Sequence, residues 1–567
     1  MSALAIAAGT VTTAADPPPS PTEPAGTTLL VEDAGWSWFE DDRVAFTADG
    51  TTLLASAVAG SSSSLRPPGT VLLAQLDLAD GRRTMVDLGA AEPDDHNSAA
   101  VHESPSGEVV AAWSRHNADR LVRTFRRRVD GTWLGLPPVD LGARTTYSNL
   151  RASADANGAP VLYDLVRGDR FDPEVLGSPD EGRTWARLGR LLRDPMDSPT
   201  SRPYVLYSAT RSDRIDLIAT ETHPRESQTS VWHGYLRAGL LHDAAGQVLG
   251  PIGSAVPVTS LTRVWSPSGS ERAWITDIVH DPTTGHPVVL FTVRHGPDDL
   301  RHWYGRWDGS TWSTAELAAA GRALYPAEED YTGLAALDPA DPDHVVVATE
   351  VSPSTGGALV SATDGLQHWE LWDGRRAPDG TWTWSPLTAD SGYDNLRPVL
   401  ARGPGLAVAL VWLRGTYSSF TSYDLDVVGV VHDRHGGPVA AGSSREQAVI
   451  QVLPTPAPGP SALPVAGAFD DDGIDDLLLV RPGAGAEVLY LGDRLRHPTP
   501  IAAPAVDGTA TPIPGDFDGD GRTDIFWYAP GPATDEVWLG AGAGTFVARA
   551  APNVRGTYTP IPGDFDG

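Results

Sequence analysis

Several stretches of this chain set a tight aspartate-bearing turn directly before a tryptophan. They are Asp130-Gly131-Thr132-Trp133, Asp308-Gly309-Ser310-Thr311-Trp312, Asp379-Gly380-Thr381-Trp382 and, sharpest, Ser178-Pro179-Asp180-Glu181-Gly182-Arg183-Thr184-Trp185. A degenerate copy runs from Ser361 to Trp369. In such a turn the carboxylate accepts backbone N–H groups, glycine takes the positive φ, and tryptophan opens a strand. Between these turns lie short alternating runs at 29–31, 44–48, 71–76, 288–293, 345–349 and 407–412, and few stretches with a helical period. With 18 Trp, 59 Gly and 49 Pro, this is an all-β chain of many short strands.

Repeated units of roughly 50–60 residues between positions 30 and 450 are expected to make about seven four-stranded blades of a β-propeller. The apolar run 426–431 is placed to close the ring against the first strands. Residues 1–28 read as a leader without fixed structure. Ala3 to Val11 followed by Thr13-Ala14-Ala15 has the look of the end of a secretory signal, without a basic n-region. The propeller is assigned to 29–452 and a Pro-rich linker to 453–464 (LPTPAPGPSALP spans Leu453 to Pro464), followed by a repeat region, 465–567.

In that region Phe469, Phe517 and Phe565 head three copies 48 residues apart, the third reaching the last residue, Gly567, in mid-motif. The middle copy supplies Asp516, Asp518, Asp520 and Asp524 at positions 1, 3, 5 and 9 of a loop with Gly521 at position 6. That spacing suits a hard cation held by oxygen ligands, and calcium is the expected ion. The first copy has Ala468 at position 1 but keeps Asp470, Asp472 and Asp476, so weaker binding is expected there. The copies resemble FG-GAP (VCBS-type) repeats, which implies calcium-stabilised blades and an extracellular setting.

The candidate site lies in 94–117, DDHNSAAVHESPSGEVVAAWSRHN. Two apolar/polar runs flank Ser104-Pro105-Ser106-Gly107, the pattern of a β-hairpin. Folding about Ser106 pairs residues whose numbers sum to 212 and sets His96 opposite His116, beside Asp94, Asp95, Asn97, Arg115 and Asn117. A register half a residue earlier separates the two histidines. An imidazole pair serves as a proton-transfer pair, a metal site or a hydrogen-bonded structural pair.

The turn at Ser178–Trp185 fits the Asp-box of sialidase-type propellers. The wider region from Gly35 to Val431 resembles the BNR-repeat-containing family of seven-bladed propellers, which includes several polysaccharide lyases and a rhamnosidase. The matching pieces are Gly35 to Phe39 with Arg43, Asp94 to Asn97, Ser114 to Asn117, Arg202-Pro203-Tyr204, Thr222-His223-Pro224-Arg225, Arg301 to Tyr304 with Trp307-Asp308-Gly309, Tyr331 to Pro339, Asp394 to Pro398, and Trp412 to Tyr417 with Tyr423-Asp424. For the lyases the resemblance implies β-elimination at C4 of a uronic acid, with a histidine pair, a tyrosine and an arginine. His116 is then the expected base and Tyr147 the acid, with His96 assisting. Where the arginine is typical this chain reads Leu162-Tyr163-Asp164. Arg167 or Arg170 then substitutes, or else Arg225 or Arg397 neutralises the uronate, or the chain does not carry out elimination. His223 belongs to the same candidate site, as do Trp36 and Trp38 as a sugar platform.

The net charge of −31 argues against nucleic acid as a partner, and no run of 18 apolar residues exists. There is no Cys, which excludes disulfides and thiolate zinc sites. Arg115, Arg120, Arg123, Arg126, Arg127 and Arg128 form a local basic cluster that could attract an acidic glycan, since distant charge is screened beyond about 8 Å. The expectation is a secreted, monomeric polysaccharide lyase acting on an acidic polysaccharide or oligosaccharide. The alternatives are a propeller glycoside hydrolase, rhamnose-releasing or sialidase-like, and a non-catalytic carbohydrate-binding or adhesion protein. Whether the propeller holds a metal of its own is left open by the sequence.

Overall fold

The computed structural model describes residues 22–197, 201–208, 213–452, 462–481, 486–495, 498–506 and 510–560. Phe565 and most of the leader lie outside them. Between Thr28 and Gln451 the strands form seven sheets of four or more strands and one two-stranded pair. In each large sheet the successive long strands pair antiparallel. The innermost strands are Val44–Phe46, Ala100–Glu103, Leu150–Ala154, Tyr204–Ser208, Arg272–His280, Ala335–Asp338 and Asp394–Arg402. Each sheet packs against the one before and the one after, and the seventh packs against the first, so the sheets close into a ring. That is a β-propeller.

Closure comes from both ends of the propeller segment. Thr28–Val31 pairs with Ser422–His432 in the seventh sheet, through the run 426–431 expected to close the ring. Ser444–Gln447 then adds a parallel strand to the outside of the first sheet, and Val449–Gln451 does the same for the second. These strands cover edges that would otherwise present unpaired backbone. The described part of the expected leader is ordered. Thr22 N donates to Ala389 O at 2.8 Å, and Glu23 accepts from Tyr393 and from Arg414.

The aspartate turns work as the sequence chemistry requires. Asp180 accepts from Thr184 N and Oγ1 at 2.8 and 2.7 Å, Ser178 Oγ accepts from Gly182 N, and Gly182 has φ 81°. Asp308 likewise accepts from the amides of Ser310 and Thr311. Among the described residues no helix is long and apolar enough to cross a membrane.

Beyond the ring, the sheets Leu463–Gly467 to Thr499–Ala505 and Thr511–Gly515 to Phe546–Ala550 share a core of Phe469, Trp527 and Trp538. The first of these strands begins inside the segment assigned to the Pro-rich linker.

Candidate active site

In antiparallel sheets the start of an innermost strand and the end of its neighbour meet at the same mouth of the ring. His96 precedes Ala100–Glu103 and His116 follows Val109–Ser114. Tyr147 precedes Leu150–Ala154, Arg167 ends Pro160–Arg167, and Phe420 follows Val408–Ser419. A cavity of about 870 Å³ is lined along the inner strands by residues that include Leu150, His102, Ala154 and Asp277. Trp38 and Arg397 also line that cavity.

The hairpin has the register Ala100↔Ala112, Val101↔Ala111, His102↔Val110 and Glu103↔Val109, each pair summing to 212. His96 itself sits in a 3-10 turn, Asp95–Asn97, where Asp94 caps its backbone N–H. The imidazoles stack with centroids 4.2 Å apart and planes 28° apart. Asp94 bridges them: Oδ1 lies 2.7 Å from His96 Nδ1 and Oδ2 lies 2.8 Å from His116 Nδ1.

One donor atom each from Asp94, His96 and His116 falls within 4.8 Å of the others, a spacing a cation would also need. The two N···O separations, however, are those of hydrogen bonds. The two histidines hold Asp94 well below the usual carboxylate range against the effect of burial. As an acceptor-only carboxylate it requires hydrogen on both Nδ1 atoms.

The two rings then differ. His96 Nδ1 also lies 3.0 Å from Asp95 Oδ1, and Asp95 and Asp94 together raise its pKa well above the ordinary value although burial opposes them. His116 is pushed down to about 4, by burial first and then by the charge of His96. A cationic His96 thus faces a neutral His116 whose Nε2 keeps a lone pair. The His116 side chain is 19% exposed and that of His96 4%, so the ring with the lone pair is the more open one.

Arg167 stands against this pair. Thr146 and Arg167 exchange backbone hydrogen bonds, which sets the guanidinium over the Tyr147 ring at 4.7 Å; it also lies 5.2 Å from the Tyr204 centroid. Its Nη2 donates to Asn117 Oδ1 at 3.2 Å, while buried Nε and Nη1 have no partner. The other candidate cations are each paired with a carboxylate. Arg397 pairs with Asp95 at 2.6 Å, Arg225 with Glu328, Arg170 with Asp197 at 2.9 Å and Arg115 with Glu92 at 2.7 Å. Arg167 has no such pair among the described residues. Burial raises Tyr147 well above the ordinary phenol value, so it keeps its proton.

Several sequence expectations change. Trp36 and Trp38 are buried in the ring's core and offer no sugar platform. Buried Arg397 is an internal counter-ion that holds Asp95 against His96. Asn97 is buried too, accepting from His116 N at 2.7 Å and donating to Glu92 O, so it positions the second histidine. Asn117, at φ 55°, holds Thr146 and Arg167. His223 caps its own loop by accepting from Arg225 N, and burial and neighbouring arginines push it down to about 2. Asp164 lies inside the third sheet, accepting from Asn149 N and Ser148 Oγ, with burial raising it to about 7. The basic cluster is largely neutralised: Arg120 pairs with Asp140, buried Arg123 with Asp119, and Arg126 with Glu108.

Three residues not singled out as site residues join the site. Asp94 bridges the imidazoles, Tyr204 flanks Arg167, and Phe420 packs edge-on against both histidines at 5.3 and 5.7 Å. Asp94 could have been found as an acceptor two residues before His96. Nothing local marks Phe420. Tyr147 and Arg397 are non-glycine residues at φ 63° and 49°, conformations costing about 1–3 kcal/mol each that cluster at functional sites.

In the tail, Asp516, Asp518 and Asp524 bring carboxylate oxygens within 4.8 Å of one another. Asp516 also caps three turn amides, and Asp520 pairs with Arg522 at 2.6 Å instead of turning inward. In the first copy Asp476 is held by Phe469 N and Gly492 N, and Asp470 accepts from Asp472 N.

Residues 469–527 match the family described as FG-GAP-like repeat. No curated protein matches the sequence. Among solved structures the chain is similar to an ulvan lyase from a new family of polysaccharide lyases, at 13% identity and TM-score 0.48, over 73% of this chain and 97% of that one. It is similar also to an α-L-arabinofuranosidase from Fusarium graminearum, at 11% identity and TM-score 0.35, over 72% and 98%. A third is the NanB sialidase from Streptococcus pneumoniae, at 11% identity and TM-score 0.35, over 71% and 70%.

Proposed function

We propose that this propeller is a secreted polysaccharide lyase that cleaves uronate-containing glycans by β-elimination. The observation that carries the reading is Arg167, a buried guanidinium with no carboxylate partner, beside a neutral histidine and a protonated tyrosine. A buried unpaired charge is costly, so a site that retains one is suited to receiving a counter-ion with its ligand. In this reading the sugar carboxylate is that counter-ion. Its neutralisation acidifies C5–H, and His116 Nε2 takes the proton. The electron pair forms the C4–C5 double bond as the C4–O bond breaks, and Tyr147 O–H gives its proton to the leaving oxygen, with cationic His96 assisting.

The test is incubation with acidic plant, algal and bacterial polysaccharides. New ultraviolet absorbance from an unsaturated uronate is expected in wild type and absent in His116→Ala. Reducing sugar released without that absorbance would make the protein a glycoside hydrolase, and neither signal would leave a carbohydrate-binding protein.

For the tail we propose calcium bound by Asp516, Asp518 and Asp524, whose spacing fits a hard cation's oxygen shell. Asp520 joins only by leaving Arg522, and the first copy with Asp470, Asp472 and Asp476 is the weaker site. An ion of this kind stiffens the loop, and millimolar extracellular calcium would fill it.

A further inference from the structure

We propose that Phe420 is a fixed apolar cover over the histidine pair, and that by keeping water off it this residue holds His116 in the proton-accepting state. The proposal rests on the reading of His116 as the base. It explains why a partly open imidazole beside a carboxylate is not simply an ordinary surface histidine.

Phe420 sits at the tip of the hairpin Val408–Ser419 and Ser422–His432, strands of 12 and 11 residues that reach past the rest of their sheet. The register slips between Tyr417 and Ser419, which turns the tip inward. Three bonds pin it there. Tyr417 O–H donates to Asp95 Oδ2 at 2.8 Å, Asp95 N donates to Phe420 O at 2.9 Å, and Tyr423 O–H donates to Val58 O at 3.2 Å. The Phe420 ring therefore meets both imidazoles by construction, with planes 77° and 76° from theirs. A ring in this place offers no hydrogen bond and excludes the water that would solvate an imidazolium.

The charges around His116 come from three elements. Asp94, Asp95 and His96 belong to the turn beneath it, with Arg115, paired to Glu92, beside it in the chain. Arg167 and Tyr147 come from the third sheet, and Arg397 and Tyr417 stand behind Asp95 from the seventh. Asp94 favours the charged ring, while His96 and Arg167 oppose it. Desolvation is the largest influence on His116, and Phe420 is an apolar ring packed edge-on against it.

The experiment is an NMR titration of the imidazoles in the full chain, with His116 assigned by its loss in His116→Gln. In wild type its midpoint is expected well below the ordinary value of about 6.5. In Phe420→Ala it should rise by about one unit as water enters, and in Phe420→Leu it should stay near wild type because the cover is still apolar. The rate profile, where turnover exists, should shift its acid limb the same way. A wild-type midpoint near 6.5 overturns the proposal even if Phe420→Ala does not fold, as does an unmoved midpoint in a folded Phe420→Ala. A midpoint that moves as expected in a protein without eliminase activity supports the cover and counts against the lyase reading alone.

Discussion

Among the described residues a carboxylate bridges two histidines at two places, and the two differ in what their surroundings permit. At the mouth, Asp94 holds His96 and His116 through their Nδ1 atoms. Between the fourth and fifth sheets, Asp216 holds His233 and His280 through their Nε2 atoms at 2.8 and 2.7 Å, and Arg214 adds a third contact at 2.6 Å. The second cluster is enclosed, with side-chain exposures of 1% and 3% against 19% for His116. Its histidines belong to different sheets, so it ties them together. One carboxylate between two imidazoles thus makes a staple when enclosed, and in the proposed reading a proton-transfer pair where one ring opens to the mouth beside an arginine without a carboxylate partner.

The contrast can be broken by substitution. His116→Ala should lower turnover by about 10²- to 10⁴-fold with little change in melting temperature, because its ring lies at the edge of the core. Assays of rate and thermal melting on one preparation check this. Equal turnover in the variant would remove the mouth from the chemistry. Asp216→Ala should do the reverse. It strands Arg214 without its carboxylate and should cost about 3–5 kcal/mol of stability, read from urea denaturation. Retention of wild-type stability would show that the enclosed cluster ties nothing.

Arg167→Met sharpens the comparison because its sign is unusual. Removal of the unpaired buried cation should leave stability unchanged or raise it, while turnover on a uronate falls by about 10²-fold or more. Destabilisation without kinetic loss would make Arg167 structural.

A smaller effect concerns pH. Burial and the charge of His96 push His116 down to about 4, so in the proposed reading the base is neutral, and able to accept a proton, above that point. Its protonation on acidification should place the acid limb of the rate profile near pH 4, not near the ordinary histidine value. The raised His96 sets the alkaline side, since the assisting proton is lost only above the usual histidine range. The smallest effect belongs to the tail. Chelation should speed proteolysis within 463–560 and leave the ring's resistance unchanged, as gel analysis of timed digests would show.

The hairpin was legible because its turn, Ser104 to Gly107, is local, and a turn sets register for the strands on either side. The aspartate turns were legible for the same reason. The choice among arginines was not. Arg397 is silenced by Asp95, 302 residues earlier in the chain, and Arg225 by Glu328, 103 residues later. Trp36 and Trp38 were expected as a sugar platform, but the fifth sheet's Trp274 and the nearby Tyr331 pack against Trp38 in the core. Phe420 sits in an ordinary Ser-Ser-Phe-Thr turn, and only ring closure carries it over the histidines.

By itself the amino-acid sequence determined an all-β chain, a hairpin that brings two histidines to one end, and a repeat rich in aspartate at cation-loop spacing. These depend on turns and alternation, interactions that reach only a few residues along the chain. Tertiary structure decided which of the candidate arginines lacks a carboxylate partner among the described residues, which histidine is pushed toward the neutral form, and what packs over it. Charge pairing and burial depend on neighbours in space, and a closed ring supplies those from hundreds of residues away.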